Sequence, residues 1–345
     1  MGIGRERGVC SPRDSRRPDG RSRRVLVLGA GFIGAHIAGT LAKSGFRIDV
    51  ITRSEPRRQL ARLLGGVSVL LADVSSMNAV RALLSEVDHI VYAVGSSSPV
   101  ESDLDPASDV SLVVPPVVRL LELLRLRPTV GLTYLSSGGA VYGNIARAVA
   151  REDDPTEPIS SYGILKLTVE KYLFMYAAVF GLSVRVLRVS NAYGPGQPWA
   201  KGQGIVPRLM SCALTGEQFP VYGTGESIRD YVFINDVSAA VAALLLRDST
   251  EALLNIGSGV GHSILDVIRL VESTTGKKIN VEYWNARSFD VTSIVLDISR
   301  LSKEINYEPT DLSTGLTYTW QAFCAQKGGS RPSSASPHIP TEPPL

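Results

Sequence analysis

The chain has 345 residues, with 44% hydrophobic and 20% charged side chains, a mean hydropathy of +0.10 and a formal net charge of +3. That length supports one large or two modest domains whose core needs no disulfide or metal staple. Residues 1–24 carry eight arginines against three acids, so the remainder is slightly acidic and the net charge implies no broad basic face for nucleic acid.

Three cysteines, Cys10, Cys212 and Cys324, lie far apart. They have neither zinc-ligand spacing nor the density of a disulfide scaffold, so no metal site and a reducing, cytoplasmic setting are expected. No apolar run reaches the length of a membrane span, and the N-terminus lacks the apolar core of a signal peptide. Residues 1–22 are rich in Gly, Pro, Ser and Arg without hydrophobic periodicity and are expected to be a disordered tail, as is the Pro- and Ser-rich 327–345.

Between the tails, short apolar or β-branched runs alternate with longer helical patterns. The runs 25–28, 48–52, 67–71, 88–94, 130–136 and 184–189 read as strands, with helices expected over 32–44 and 113–126. This alternation predicts an α/β fold, a doubly wound parallel sheet of the Rossmann type over about 23–190. Residues 191–326 hold more Gly- and Pro-punctuated loops. They suggest a smaller α/β substrate lobe, discontinuous, with segments returning to the first domain.

The first strand runs into Gly29-Ala30-Gly31-Phe32-Ile33-Gly34, which opens a helix. Glycines there permit a tight turn and close backbone approach, so helix N–H groups can hold the pyrophosphate of a dinucleotide. The second strand ends Thr52-Arg53-Ser54, where an NAD site usually carries an acid to accept the ribose 2′-hydroxyl. Asp49 sits inside the strand and reads as a strand residue. Arg53 could bind a 2′-phosphate, so these residues lean towards NADP.

Further along, Tyr162-Gly163-Ile164-Leu165-Lys166 opens a helical segment. Four residues put Tyr162 and Lys166 on one helix face. A phenol titrates near 10 unperturbed, and a nearby ammonium together with a cationic nicotinamide favours its ionised form, making a general base.

With these features the chain resembles the extended short-chain dehydrogenase/reductases, and within them the UDP-glucose 4-epimerases and related sugar-nucleotide enzymes. The anchors run from about Arg24 to Trp320: the glycine turn, Ala72-Asp73-Val74, the stretch Ser136 to Gly143, the Tyr–Lys pair and Ser190-Asn191-Ala192-Tyr193-Gly194-Pro195. They continue with Gly223-Thr224-Gly225, Arg229-Asp230-Tyr231, and Arg287 ahead of Asp290-Val291. The resemblance implies that Asp73 and Val74 meet the adenine, and that Ala93, Val94, Gly95 and Ser96 line the cofactor's far side. It implies that Lys166 holds the nicotinamide ribose, that Asn191 bonds the substrate near its phosphates and that Arg229 and Arg287 neutralise a diphosphate. Family relatives of the epimerase type use NAD and are often dimers through a four-helix contact.

Two departures touch the cofactor turn and the chemistry. The glycine turn is one residue shorter than the usual form, with Leu28 directly before Gly29. The hydroxyl expected a few residues before Val141-Tyr142-Gly143 is replaced by Gly138, Gly139 and Ala140, leaving Ser137 either to reach the site or to be structural. The resulting expectation is a UDP-hexose 4-epimerase acting through a transient 4-keto sugar, with Tyr162 as base. Two alternatives stay open: an NADPH-dependent 4-ketoreductase, and a catalytically weak protein that binds cofactor or nucleotide sugar.

Overall fold

The computed structural model describes residues 15–17, 19–95, 99–145, 147–198, 204–287 and 291–327. The first half reads β1 (Arg24–Leu28), α1 (Phe32–Lys43), β2 (Arg47–Thr52), α2 (Arg58–Leu63), β3 (Ser68–Leu71), α3 (Asn78–Leu83), β4 (His89–Tyr92), α4 (Pro99–Leu104), α5 (Pro106–Arg125), β5 (Gly131–Ser137), α6 (Gly138–Val141), α7 (Ser161–Phe180) and β6 (Val184–Val189). The second half adds β7 (Asn191–Tyr193), α8 (Ile205–Thr215), β8 (Phe219–Tyr222), β9 (Ile228–Phe233), α9 (Ile234–Leu246), β10 (Leu253–Ile256), β11 (Gly261–Ser263), α10 (Ile264–Thr275), β12 (Val281–Trp284), β13 (Ser293–Ile294), α11 (Ser299–Ile305) and α12 (Leu312–Lys327).

Seven strands form one sheet in the order β10-β6-β5-β4-β1-β2-β3, and every pairing in it is parallel. The order reverses between β1 and β4, which opens a crevice at the carboxyl ends of the strands. Both faces are covered, which explains why β1 is an unbroken apolar run rather than an alternating one. Val25 and Val27 pack with Ile37 and Leu41 of α1 and with Val237 and Val241 of α9. Leu26 and Leu28 pack on the opposite face with Leu120 and Leu121 of α5 and with Val169 and Leu173 of α7.

β10 comes from the second half of the chain and closes one edge of this sheet by pairing with β6. The rest of that half builds two small sheets. In one, β9 lies between β11 and β13 and also pairs β7; in the other, β8 pairs β12. Asp230 on β9 ties the loops together: it accepts from Ser258 N at 2.7 Å, Gly259 N at 3.2 Å and Leu296 N at 3.2 Å.

Two sequence expectations change. Helix α5 begins at Pro106 rather than near Val113, because Asp105 caps it by accepting from Ser108 N at 3.0 Å and Pro106 fits the first turn, where its missing N–H costs nothing. The helix then continues through Pro115 and Pro116. Disorder was expected to residue 22, yet Ser15–Arg17 and Asp19–Ser22 are held. Arg17 pairs Asp88 at 2.9 Å, Arg16 bridges Ser22, and Ser15 accepts from Arg23 N at 2.7 Å. Arginine counts as disorder-promoting in composition, but here acids at the amino end of β4 give it a fixed partner. Residues 1–14 and 328–345 lie outside the described residues.

Candidate active site

At the crevice, Gly29 takes φ +96, a conformation that favours glycine, and a Cβ there would stand 2.9 Å from the Ala93 carbonyl oxygen. A Cβ on Gly34 would stand 2.0 Å from the Gly29 carbonyl oxygen, so the turn can fold onto α1 only without one. Gly31 caps α1 with open space beside it; the first turn holds no acid and the cap has no side-chain bond. Free N–H groups at the end of a helix whose dipole is positive there make an anion site.

A cleft of about 560 Å³ opens over this turn. Gly29, Gly31, Arg53, Asp73, Val74, Ala93, Val94, Gly95 and Lys166 all line it. Phe32, Ile33, Gly34 and Tyr162 are not among its lining residues. Phe32 turns an edge to His36, ring centroids 5.3 Å apart, and Ile33 packs into the core behind the turn. Ser96 and Asp290 lie outside the described residues. At the strand tip, the Asp73 side chain accepts from Ser75 N at 2.9 Å, which holds its carboxyl below the usual range, with the charge of Arg53 helping. Asp49 is turned into the sheet, where Arg24 grips both of its oxygens at 2.5 and 3.1 Å. No acid therefore replaces the missing one at Thr52.

The cleft contains polar groups in want of a partner. Tyr134 Oη and Asp109 Oδ2 are buried without a hydrogen bond, and both residues line the cleft. An open helix terminus, a glycine cradle and unpaired acceptors and donors on the walls fit an extended polar ligand such as a dinucleotide.

Helix α7 supplies the reactive groups. Tyr162, Lys166 and Glu170 recur at one-turn spacing and meet three consecutive residues at the end of β5. Ser137 bears on the Tyr162 phenol, favouring its ionised form, Lys166 Nζ donates to the Leu135 carbonyl at 3.1 Å, and the Ser136 hydroxyl donates to Glu170. Glu170, 1% exposed, is also held by Arg188 of β6 at 2.7 Å. The Ser160 hydroxyl caps the helix by accepting from Gly163 N, and Gly181 ends it in a left-handed conformation.

The electrostatics differ from the sequence expectation. Burial pushes the Tyr162 phenol up, the Ser137 hydrogen bond pulls it back and the charge of Asp109 raises it again. Lys166, whose ammonium lies 5.7 Å from the Tyr162 ring centroid, is itself lowered to about 8 by burial, with Glu170 and Asp109 opposing. The protein alone therefore keeps Tyr162 neutral at pH 7. Ser137 favours its ionisation.

Ser137 thus bears on the Tyr162 phenol although it stands upstream of the expected hydroxyl position. The loop that follows has unequal room. A Cβ on Gly138 would press on Leu296 Cδ1 at 2.5 Å, whereas one on Gly139 would stand 3.8 Å from the Asn191 amide. Asn191 itself donates to the Asp230 carbonyl at 3.0 Å. In the second half, Arg287 stacks on Tyr222, 3.4 Å from the ring centroid, and Tyr222 in turn meets Trp284 edge-on. Arg229 donates to the Ile228 carbonyl at 2.9 Å.

Sequence reasoning passed over Asp109, Tyr134, Glu170 and Arg188. Glu170 was detectable at eight residues beyond Tyr162, on the same helix face. Asp109 begins the apolar face continued by Val113, Pro116, Leu120 and Leu124, where an acid is out of place. Nothing in the local sequence marks Tyr134 or Arg188, since strand residues become neighbours of α7 only through the fold.

The Lys166 shift has a measurable consequence. Below about pH 8 the lysine is protonated in both folded and unfolded chains, and the cost of its burial is fully present. Between about 8 and its ordinary 10.5 the folded chain loses the proton first, so stability rises with pH there. Wild type compared with Lys166→Met by urea unfolding should gain on the order of 2 kcal/mol between pH 7 and pH 10. A constant difference between the two proteins would show that the ammonium is solvated.

Comparison with known proteins fits this geometry. The NAD dependent epimerase/dehydratase family model matches residues 25–257. The chain is 30% identical to a UDP-glucose 4-epimerase of Corynebacterium glutamicum over 88% of this chain and 96% of that one. It is 27% identical to a dTDP-4-dehydro-6-deoxy-D-allose reductase of Streptomyces bikiniensis, over 87% and 96%. Among solved structures it is similar to the UDP-glucose 4-epimerase of Thermus thermophilus in complex with NAD, with TM-score 0.81, 30% identity, and coverage of 87% of this chain and 99% of that one. A glycine-turn cleft with a Tyr–Lys helix beside it, and a family match spanning most of the chain, lead to one conclusion: the chain belongs to the NAD dependent epimerase/dehydratase family.

Proposed function

We propose that the protein is a nucleotide-sugar 4-epimerase acting on a UDP-hexose, with Tyr162 as the proton-transferring group and Ser137 as its partner. The observation that carries this reading is Lys166 on the wall of the glycine-turn cleft, with Tyr162 one turn before it on α7 and Ser137 at the end of β5 favouring the ionised phenol. The similarity to UDP-glucose 4-epimerases supports the substrate class. When bound, a nicotinamide supplies the hydride exchange at C4 that makes and unmakes a transient 4-keto sugar. Tyr162 Oη takes the 4-hydroxyl proton and returns it, and Ser137 stabilises the ionised phenol between those events. Lys166, fixed by the Leu135 carbonyl, lines the cleft and holds the ribose side of the cofactor. Gly29, Gly31 and the start of α1 hold its pyrophosphate, and Asp73 and Val74 its adenine. Asn191, Arg229 and Arg287 hold the sugar nucleotide, the two guanidinium groups facing its diphosphate.

A second reading, an NADPH-dependent 4-ketoreductase, is favoured by Arg53 at an acid-free strand tip and by the reductase relative. The same proton group then serves a single reduction. The two are separated by supplying a UDP-hexose without reductant, or a 4-keto sugar nucleotide with NADPH.

Tyr162→Phe should keep the fold and cofactor binding and abolish turnover, since only the phenolic oxygen is lost. Ser137→Ala should reduce turnover by about 10²–10⁴-fold, the range for a positioned proton-transfer group. Substantial turnover in Tyr162→Phe would sink the mechanism, and a silent Ser137→Ala would return that serine to a structural role.

On the cofactor, Arg53 gives NADP at least the affinity of NAD, and Arg53→Ala should weaken NADP selectively. Direct titration of both nucleotides decides this: an equal loss for the two would show that Arg53 does not read the 2′ position.

Helix α7 also leaves Ile164, Tyr172, Met175 and Val179 exposed along one face, and α5, which packs against it, exposes Val110 and Leu112. Such a stripe supports a homodimer that pairs these helices. Light scattering should give the dimer mass, with Met175→Lys shifting it towards monomer; a monomeric wild type would refute the pairing.

A further inference from the structure

Asp109 is the one buried acid of the cleft that the mechanism above leaves unused. It lies one turn into α5, four residues beyond the capping Asp105, and is only 4% exposed. Its Oδ2 is sealed from solvent and accepts no hydrogen bond, although the residue lines the cleft together with Lys166 and Tyr134. A carboxylate held this way is costly unless something compensates it. Among the described residues no salt bridge joins it to a cation. Its charge is felt by the Tyr162 phenol and the Lys166 ammonium, both of which it raises, so Lys166 offsets it in part without pairing with it.

The other buried acids near the site are paired with arginines. Glu170 is paired with Arg188, and Asp49 with Arg24. Asp73 and Arg53 stand where the adenosine end is proposed to lie, while Asp109 shares the wall of Lys166, the proposed nicotinamide end. The partner that completes Asp109 is therefore sought in the ligand, as positive charge. Of the two forms a nicotinamide takes, the oxidised ring is cationic and the reduced ring neutral.

We propose that Asp109 is a charge-selective wall of the cofactor site, whose unpaired carboxylate oxygen favours the oxidised over the reduced nicotinamide. This inference rests on the nicotinamide reading and deepens it. It gives the protein a reason to rest in the form that accepts hydride first, as a substrate with a 4-hydroxyl requires. It also ties the proton group to the cofactor. The carboxylate that disfavours an ionised Tyr162 is offset once a cation stands beside it, so the base forms when the oxidised ring is in place.

The test is to titrate NAD⁺ and NADH separately into wild type and Asp109→Asn, using calorimetry for the first and nicotinamide fluorescence for the second. A unit charge within roughly 10 Å at an effective dielectric constant of about 20 is worth on the order of tenfold in affinity. NAD⁺ affinity should therefore fall about tenfold in the variant, with NADH affinity unchanged or improved. Equal losses for both nucleotides would mean that Asp109 accepts a hydrogen bond common to the two forms, and no change would mean that it is irrelevant; either overturns the proposal. Wild type binding neither nucleotide would instead overturn the nicotinamide reading itself. A melting curve checks that the variant folds, and Asp109→Ser, smaller and equally neutral, must give the same ratio if the amide disturbs packing.

Discussion

Between Glu170, Ser136 and Arg188 a buried charge network locks the long helix α7 onto the carboxyl end of β5, and the positions of Lys166 and Tyr162 follow from that lock. A helix turns about 100° and rises about 1.5 Å per residue, so a slip of one position would swing both side chains off their partners. The network resists such a slip because Glu170 is bound from two strands at once, and removing one member of a buried pair typically costs about 3–5 kcal/mol. Arg188 is itself fixed from the other side. It stacks on Tyr142, whose hydroxyl donates to Asn255 of β10, and its guanidinium donates to the Glu152 carbonyl. The placement of Tyr162 and Lys166 beside the end of β5 is thus inherited from packing beneath it.

The cleft depends on a second constraint, the parallel sheet. All seven strands end on the same side, so the glycine turn after β1, the Asp73 turn after β3 and Ala93 after β4 converge there without any long-range sequence signal. Inside the sheet Arg24 and Asp49 neutralise one another. This turns Asp49 away from the cleft, which Thr52 and Arg53 line. The lobe carrying Asn191 is fastened through Asp230, whose carboxylate gathers the loops at Ser258 and Leu296 while its carbonyl holds the Asn191 amide.

Much of this was readable from the residues. Strand β1 and helix α1 fall within a residue or two of their expected limits, because an apolar run followed by Gly29-Ala30-Gly31 has few ways to fold. Lys166 and the glycine turn share a cleft as their spacing suggested. What stayed hidden has physical causes. Asp105-Pro106 is a helix start, but Pro115 and Pro116 mask the continuation of α5. The segment around Arg17 looks disordered in composition, since its partners Asp88 and Glu86 are about seventy residues away. The four-residue spacing puts Tyr162 and Lys166 on one helix face, but the burial that raises the phenol and lowers the ammonium is reported by no spacing.

Tyr162, steadied by Ser137 and aimed by the Glu170 lock, is the centre of the account, and the chemistry assigned to it returns the same hydride to the sugar it came from. Following a UDP-hexose deuterated at C4 by NMR, with the purified protein and no added reductant, examines that directly. The account predicts that the 4-epimer appears with deuterium retained at C4 and that Tyr162→Phe forms none. Product formed only when NADPH is supplied, or no conversion of any UDP-hexose, would contradict it.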